Sequence, residues 1–373
     1  MRLNLPQVNK NSRIVLASIL KPVDETRMFE KIGSSLAQAG HNVHIVGFPS
    51  ATGAASDPKI HFHPVAPHPF KRLSITRFFA SLKVLFIVSK LKPTIFIITT
   101  HELLGAAFWC KLLTGCKVLY DVQENYYRNI RYTTAFPAGI RTVVAAWVRL
   151  KERLLHPIIT TYILAEKGYT DELPFAKPYL VLENKITKAL ADRYRKKQQT
   201  GYANLLFSGT LAETTGVFEA IRLTDDLHKH DASVMLTIIG HAPSSIIHNQ
   251  LLRLSDQKPF IRYRGNEQPV PHDAILKEIS RADFGIIWYP QNPSTACSIP
   301  TKLYEYMGLN LPVLISHNAQ SEALVEQNKA GLILSQSTDF QHLIVKMKGF
   351  RLSENGANPY FDEDVVALIE LLK

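Results

Sequence analysis

The chain has 373 residues, of which 46% are hydrophobic, so it is long enough to form two domains with substantial cores. Its three cysteines, Cys110, Cys116 and Cys297, are an odd number without metal-ligand spacing, which fits a reducing compartment and buried thiols rather than disulfide bridges. No signal peptide is visible and no apolar run reaches the roughly 18 residues of a membrane span, so we predict a cytoplasmic protein.

The charge is distributed unevenly along the chain. Residues 1–200 contain 29 Lys and Arg against 13 Asp and Glu, whereas residues 201–373 contain 14 against 19. A basic half joined to a mildly acidic half indicates that the first domain faces an anionic partner. Nucleic acid is not favoured as that partner, because no recognition motif for it is present.

Strand-like apolar runs alternate with helical patterns from the first strand, RIVLASIL, onward. This alternation predicts an α/β fold with a mostly parallel sheet and helices on both faces. We expect a first domain at 1–187, followed by a polar linker at 188–203. The predicted helices of this half are about Arg27–Ala39, Pro67–Lys92, Leu103–Leu113 and Gly139–His156.

Two of these helices, at 67–92 and 139–156, are basic and amphipathic. Basic amphipathic helices can lie on anionic membrane surfaces. The alternative is that their apolar faces pack on the sheet while solvated lysines remain outside. With the charge of the whole first domain included, the pattern favours a peripheral contact with the inner face of an anionic membrane.

Polar side chains follow two strands of the first half. His101 comes directly after TIFIITT, where it could exchange a proton or hydrogen-bond a substrate hydroxyl; the alternative is a helix start shared with an adjacent glutamate. Gln123, Glu124 and Asn125 follow the next strand beside two tyrosines, a composition suited to binding a sugar. We assign His101 and Glu124 as catalytic candidates, and Arg27, Gln123 and Asn125 as acceptor or sugar candidates.

The alternating pattern restarts at NLLFSGTL and predicts a second wound domain at 204–360. A final helix at 361–373 could return to brace the first domain. Two such domains leave a cleft between the carboxyl ends of their sheets, where a ligand is expected. Glycines at successive strand ends, Gly209, Gly240 and Gly265, would let backbone approach that ligand. Each glycine alone is a weak signal, but the three together are more specific.

The segment SIPTKLYEYMGLNLPVLIS, at 298–316, is the most informative part of the chain. It predicts a short helix whose first turn has free N–H groups and carries Lys302, a natural seat for a phosphate. Glu305 lies about one turn further on, where its carboxylate could accept ribose hydroxyls. The alternative is an ordinary Lys–Glu pair on a helix surface. No GxGxxG follows the first strand and no P-loop, GxSxG elbow or metal-ligand spacing is present.

The order of these segments resembles glycosyltransferase family 4, retaining enzymes of the two-Rossmann GT-B fold, over nearly the whole chain. The resemblance implies a nucleotide-diphosphate sugar as co-substrate, no metal or other cofactor, and a glycan or glycolipid acceptor. It also implies that Glu305 holds the ribose, that Lys302 lies near the phosphates and that His101 lies near the transferred sugar. The donor-binding candidates are therefore the following residues of the second domain: Gly209, Thr210, Gly240, Gly265, Ser298, Thr301, Lys302 and Glu305.

The chain departs from the family pattern at three places. Cys297 stands where relatives often have a glutamate, Thr210 and Thr215 stand where they have cations, and Gln123 replaces a common histidine. Arg27 could supply a substitute cation. Two other function classes therefore stay open: a catalytically silent GT-B protein that binds a glycan or partner, and a sugar-nucleotide epimerase of similar shape.

Overall fold

The computed structural model describes residues 12–50, 57–70, 74–133, 136–195, 201–289, 292–293, 295, 298–316, 318–335, 337–352 and 359–372. These residues divide into two compact units. The first contains the residues up to Asn184 together with those from Phe361 onward, and the second is Lys185–Tyr360. Cys297 lies outside the described residues.

The described part of the first unit contains a seven-stranded parallel sheet in the order β3-β2-β1-β4-β5-β6-β7. Its strands are β1 Arg13–Pro22, β2 Asn42–Phe48, β3 Ile60–Pro64, β4 Ile95–Ile98, β5 Lys117–Val122, β6 Thr161–Leu164 and β7 Tyr179–Val181. Its helices are α1 Ser34–Gln38, α2 Ile75–Phe78, α3 Ala80–Leu91, α4 Leu104–Thr114, α5 Tyr126–Tyr132, α6 Arg141–Leu154, α7 Tyr169–Glu172 and, from the end of the chain, α15 Phe361–Leu371. A π-helical turn, Arg27–Gly33, leads into α1.

The central strands of this sheet are buried on both faces, as their unbroken apolar runs predict. Side chains of α3 and α4 fill one face, and side chains of α1 and α15 fill the other. The buried residues of α15 recur at helical spacing: Phe361, Val365, Leu368 and Ile369. The last helix therefore forms part of the first unit's core.

The described part of the second unit contains a six-stranded parallel sheet in the order β10-β9-β8-β11-β12-β13. Its strands are β8 Asn204–Thr210, β9 Met235–His241, β10 Ile261–Asn266, β11 Phe284–Ile287, β12 Val313–Ile315 and β13 Gly331–Ile333. Its helices are α8 Lys188–Tyr194, α9 Val217–His230, α10 Ser245–Gln257, α11 His272–Arg281, α12 Thr301–Gly308, α13 Ala319–Asn328 and α14 Phe340–Gly349.

The division of the chain differs from the predicted linker at 188–203. Residues Lys188–Tyr194 form α8, and its buried Ala191 and Tyr194 pack into the apolar core of the second unit. The polar composition of this stretch concealed two core positions one helical turn apart. No helix among the described residues is both long and apolar enough to cross a membrane.

Candidate functional site

The three glycines at the strand ends of the second unit form one row. In the register of the sheet, Gly209 on β8 lies opposite Gly240 on β9, and Gly240 lies opposite Gly265 on β10. Gly209 and Gly240 have positive φ angles of 103° and 150°. A Cβ on Gly240 would lie 1.8 Å from the carbonyl oxygen of Gly209, so only glycine fits there. At this edge of the sheet a Cβ on Gly209 would meet no atom within 4 Å, whereas the Tyr263 ring lies against Gly265.

Helix α12 is anchored to the same sheet by its aromatic residues. The hydroxyl groups of Tyr306 and Ser208 lie 2.8 Å apart in a buried hydrogen bond between α12 and β8. The Tyr306 ring lies over Gly285 of β11, where a Cβ would approach the ring to 2.4 Å. These contacts fix the helix start beside the strand ends and set the positions of Lys302 and Glu305.

Lys302 lies in the first turn of α12 and is buried. Its Nζ is 3.9 Å from the centre of the Phe207 ring and 5.1 Å from that of Tyr289, at cation–π distance from both. Burial lowers the pKa of Lys302 from 10.5 to about 7, and the nearby Glu305 carboxylate opposes this shift only in part. The side chain is thus a buried amine whose pKa lies near neutral pH, and it is not part of a Lys–Glu pair on the helix surface.

Glu305 pairs with a histidine that the sequence pattern did not single out. The Nε2 of His272, the first residue of α11, lies 3.0 Å from Oε1 of Glu305. Because a carboxylate only accepts, the imidazole donates this bond. Both side chains are largely covered. The only signal in the sequence was the position of His272 at a helix start shortly after Gly265.

The remaining donor candidates lie at the start of α12 and at the end of β8. Thr301 is the first residue of α12, and Ser298 precedes the helix with its backbone N–H donating to Thr295. Thr210 is exposed, and its carbonyl accepts a 2.7 Å hydrogen bond from the hydroxyl of Thr215. The same hydroxyl accepts from the backbone N–H of Ala212, so Thr215 closes the turn after β8 as both donor and acceptor, which a basic side chain cannot do.

Helix α9 begins at the same turn, through a residue that the sequence analysis missed. Gly216 has a φ of 81°, and a Cβ there would lie 2.1 Å from the carbonyl oxygen of Trp288. Because residue 216 is a glycine, the N-terminus of α9 can approach the end of β11 this closely. The free N–H groups of that helix start carry a partial positive charge.

A pocket of about 720 Å³ opens beside these elements within the second unit. This volume is in the usual range for small-molecule sites, about 300–1,000 Å³. Tyr289 belongs both to the pocket wall and to the surroundings of Lys302. The pocket is lined by side chains from the strand ends and from α9, α13 and α14: Glu219, Arg222, Leu223, Asp226, Trp288, Tyr289, Ser316, Glu322, Ile333, Leu334, Ser335, Thr338 and Phe340.

In the first unit, His101 lies in a cluster of charged groups. Its Nδ1 is 3.0 Å from Nζ of Lys151, and its Nε2 is 3.4 Å from a carboxylate oxygen of Glu102. Arg77 binds the same glutamate, and the ring of Tyr126 meets His101 edge to face. Burial lowers the pKa of His101 to about 4; Glu102 opposes the shift, and Lys151 and Arg77 add to it. His101 is therefore a neutral imidazole at physiological pH.

The structure does not bring Gln123, Glu124 and Asn125 together as a sugar-binding set. Gln123 donates a 2.8 Å bond to the buried Asp121. Glu124 is exposed and accepts from an asparagine of α5. Asn125 is buried and caps α5, where its side chain also donates a 2.6 Å bond to Glu172. Helix capping explains Asn125 better than ligand binding does.

Arg27 is not a free cation. Its guanidinium forms a buried pair with Asp121, with Nη2 2.7 Å from Oδ1, and it also donates to Leu182 and Asn184. Asp121 is fully buried. Arg27 thus neutralises a carboxylate of the first unit, and the expectation that it replaces a phosphate-binding cation is not supported by its position.

Residues 228–357 match the family model described as glucosyltransferase 3-like, C-terminal domain. No curated protein sequence matches the chain significantly.

Solved structures resemble the chain over nearly its whole length. Sucrose-phosphate synthase from Thermosynechococcus elongatus is 13% identical with a TM-score of 0.65, covering 97% of this chain and 94% of its own. HepE of Anabaena, solved with UDP-glucose, is 12% identical with a TM-score of 0.61, covering 96% and 95%. A putative UDP-N-acetylglucosamine 2-epimerase from Listeria monocytogenes is 13% identical with a TM-score of 0.60, covering 97% and 95%. The chain has the GT-B fold, with one Rossmann-like parallel sheet in each unit, as predicted.

Proposed function

We propose that the protein is a retaining glycosyltransferase that moves a hexose-like sugar from a nucleotide-diphosphate donor to a hydroxyl of a lipid-linked or polysaccharide acceptor. The observation that carries the proposal is the start of α12, where the buried Lys302 and the Glu305–His272 pair lie on a sheet whose edge carries three glycines in register. The match of residues 228–357 to the glucosyltransferase 3-like domain supports the proposal.

In this proposal the two charged residues of α12 have different tasks. The ammonium group of Lys302, with the free N–H groups of the helix start, faces the diphosphate and stabilises it as it leaves. Glu305 accepts hydrogen bonds from the ribose, and His272 keeps its carboxylate oriented. A diphosphate near Lys302 would raise the pKa of the amine again, so binding near neutral pH would be accompanied by proton uptake.

The first unit would bind the acceptor. His101, which burial keeps neutral and which lies between Lys151 and Glu102, can hydrogen-bond a sugar hydroxyl without carrying charge. Neither a metal nor another cofactor has a role in the proposed transfer.

A second candidate is a catalytically silent GT-B protein that binds a glycan or a partner. It is favoured by the engagement of Arg27 with Asp121, which removes the expected substitute for the cations missing at Thr210 and Thr215. At about 2.7–4 kcal/mol for one preorganised donor, loss of two such groups would slow transfer strongly.

One activity experiment separates these candidates and the epimerase. UDP-, GDP- and ADP-sugars are incubated with the protein, with and without glycan and glycolipid acceptors, and nucleotide release and sugar products are followed by NMR. A transferase gives acceptor-dependent product with the donor's anomeric configuration, and Glu305→Gln loses it. Glu326→Gln, at an exposed position of α13, is the matched control and should retain activity.

An inverted product would contradict the retaining mechanism. Conversion of donor without acceptor would identify an epimerase. Nucleotide binding without turnover of any donor would identify the silent protein.

A further inference from the structure

One face of the first unit carries large apolar side chains that are more than half exposed among the described residues. It consists of α3, α4 and α6, and we refer to it as the α3–α4–α6 face. Phe86 on α3 is 61% exposed, Trp109 and Leu112 on α4 are 52% and 66% exposed, and Trp147 on α6 is 61% exposed. Exposed tryptophan and phenylalanine of this kind mark an interaction surface when they are clustered.

These helices are neighbours on one side of the sheet. Helices α3 and α4 pack against each other and fill the same apolar core. Helix α6 joins that side through the buried Glu152, whose carboxylate accepts from the hydroxyl of Tyr120, a member of the same core. Lys151 of α6 also reaches His101, at the start of the helical segment that continues into α4. The exposed apolar groups therefore belong to one side of the sheet and are not scattered around the unit.

The exposed charges on the helices of this face are of one sign. Helices α2 to α6 contain a single acidic residue, Glu152, and it is buried. The exposed charges are cations, among them Lys83, Lys90 and Arg153. The opposite side of the sheet carries α15, whose charged residues within Phe361–Leu371 are all acidic. The charges of α15 are thus opposite in sign to the exposed charges of the α3–α4–α6 face.

We propose that the α3–α4–α6 face docks on an anionic lipid bilayer, with Phe86, Trp109 and Trp147 entering the headgroup region. Aromatic rings favour the membrane–water interface, and flanking lysines are attracted by anionic headgroups. A protein partner or second copy would meet the same apolar groups, but the absence of exposed carboxylates on these helices favours a uniformly anionic surface. The proposal does not depend on the proposed transferase activity, since it concerns binding without a donor.

The test is co-sedimentation of the full chain with phosphatidylcholine vesicles, with and without about 30% phosphatidylglycerol, at low and high salt. Binding should require the anionic lipid and fall with salt. One Lys or Arg near the surface contributes about fivefold in affinity, so Lys83→Glu with Lys90→Glu should reduce binding by at least about tenfold. Leu112→Ser with Trp147→Ser should also reduce it by about tenfold or more.

Matched controls come from the second unit. Ile246→Ser with Val345→Ser removes apolar groups that are 78% and 62% exposed, and Arg253→Glu with Arg262→Glu reverses two exposed cations. Both controls should bind vesicles like the wild type. Because all substituted side chains are exposed, each variant should retain the wild-type melting temperature.

Three results would overturn the proposal. One is equal binding to neutral and anionic vesicles. Another is a loss of binding in the controls that equals the loss in the face variants. The third is absence of vesicle binding together with a dimer, seen by sedimentation velocity, that Trp147→Ser dissociates. That last result would identify a second copy as the occupant. Nucleotide binding, measured separately, distinguishes any of these failures from failure of the proposed function.

Discussion

At the residue scale, the second unit places an amine where a phosphate is expected, and burial of that amine lowers the stability of the ligand-free protein. Lys302 is buried between Phe207 and Tyr289, and its pKa is lowered to about 7. The downward shift shows that burial outweighs the attraction of Glu305 for the charged form. A residue that destabilises the ligand-free protein is explained most simply by a ligand that needs its charge.

Replacement of Lys302 by methionine should therefore stabilise the ligand-free protein and abolish nucleotide binding. We expect the free energy of unfolding at pH 7 to rise by roughly 2–4 kcal/mol, because one unit of pKa shift corresponds to about 1.4 kcal/mol. Denaturant unfolding measures the first effect and titration calorimetry the second. A methionine variant that is less stable than the wild type and still binds nucleotides would contradict this account of Lys302.

The lowered pKa of Lys302 also predicts how the free energy of unfolding depends on pH. The pKa of Lys302 is about 7 in the folded protein and 10.5 when unperturbed, so between these values the unfolded chain binds more protons. The destabilisation is full below about pH 7 and fades as pH rises toward 10.5. The stability advantage of Lys302→Met over the wild type should therefore shrink between pH 7 and 9.5. A constant advantage would show that Lys302 is not titrating in this window.

The buried pair of the first unit gives a contrasting prediction. Arg27→Met leaves Asp121 buried without its partner and should cost about 3–5 kcal/mol of stability. The control is Lys21→Met, which removes a partly exposed pair with Glu25 and should cost less than about 1 kcal/mol. At temperatures where the Arg27 variant is folded, its nucleotide affinity should equal that of the wild type. A loss of nucleotide affinity in the folded Arg27 variant alone would indicate that Arg27 binds a phosphate of the nucleotide.

At the element scale, strand ends and helix starts decide what can approach the sheet of the second unit. The glycine row follows from the sequence because each glycine ends a predicted strand and parallel strands end at one edge. The start of α12 followed equally from its proline and apolar spacing. The pairing of Glu305 with His272 did not, because it joins residues 33 apart through tertiary packing. For a similar reason the sequence did not show that Asn125 caps α5 or that Arg27 pairs with Asp121, because polar residues near strand ends serve caps and buried pairs as often as ligands.

A comparison of two glycines tests the row. Gly240→Ala places a Cβ 1.8 Å from the Gly209 carbonyl, whereas a Cβ on Gly209 meets no atom within 4 Å. Both positions carry the strain of a positive φ, about 1–3 kcal/mol, so Gly240→Ala should destabilise by more than Gly209→Ala. Thermal unfolding of the two variants measures the difference. Equal effects would show that the close approach of the two strands relaxes without cost.

At the scale of the whole molecule, the last helix completes the unit formed by the beginning of the chain. Leu368 of α15 is fully buried in the first unit's core. Leu368→Ala should cost about 2–5 kcal/mol, while Leu371→Ala, at a 43% exposed position of the same helix, should cost much less. Hydrogen exchange should show the loss of protection in β1 and β2, with the second unit unaffected. Loss confined to the second unit would contradict this assignment of α15.

The central claim is that the start of α12 binds the nucleotide of a sugar donor. A thermal-shift screen with UDP, GDP, ADP and CMP tests it most directly, using the wild type, Glu305→Ala and the exposed control Glu326→Ala. We expect one nucleotide to raise the melting temperature of the wild type and the control, and to leave Glu305→Ala unshifted. No shift with any nucleotide, or an equal shift in the Glu305 variant, would contradict the claim.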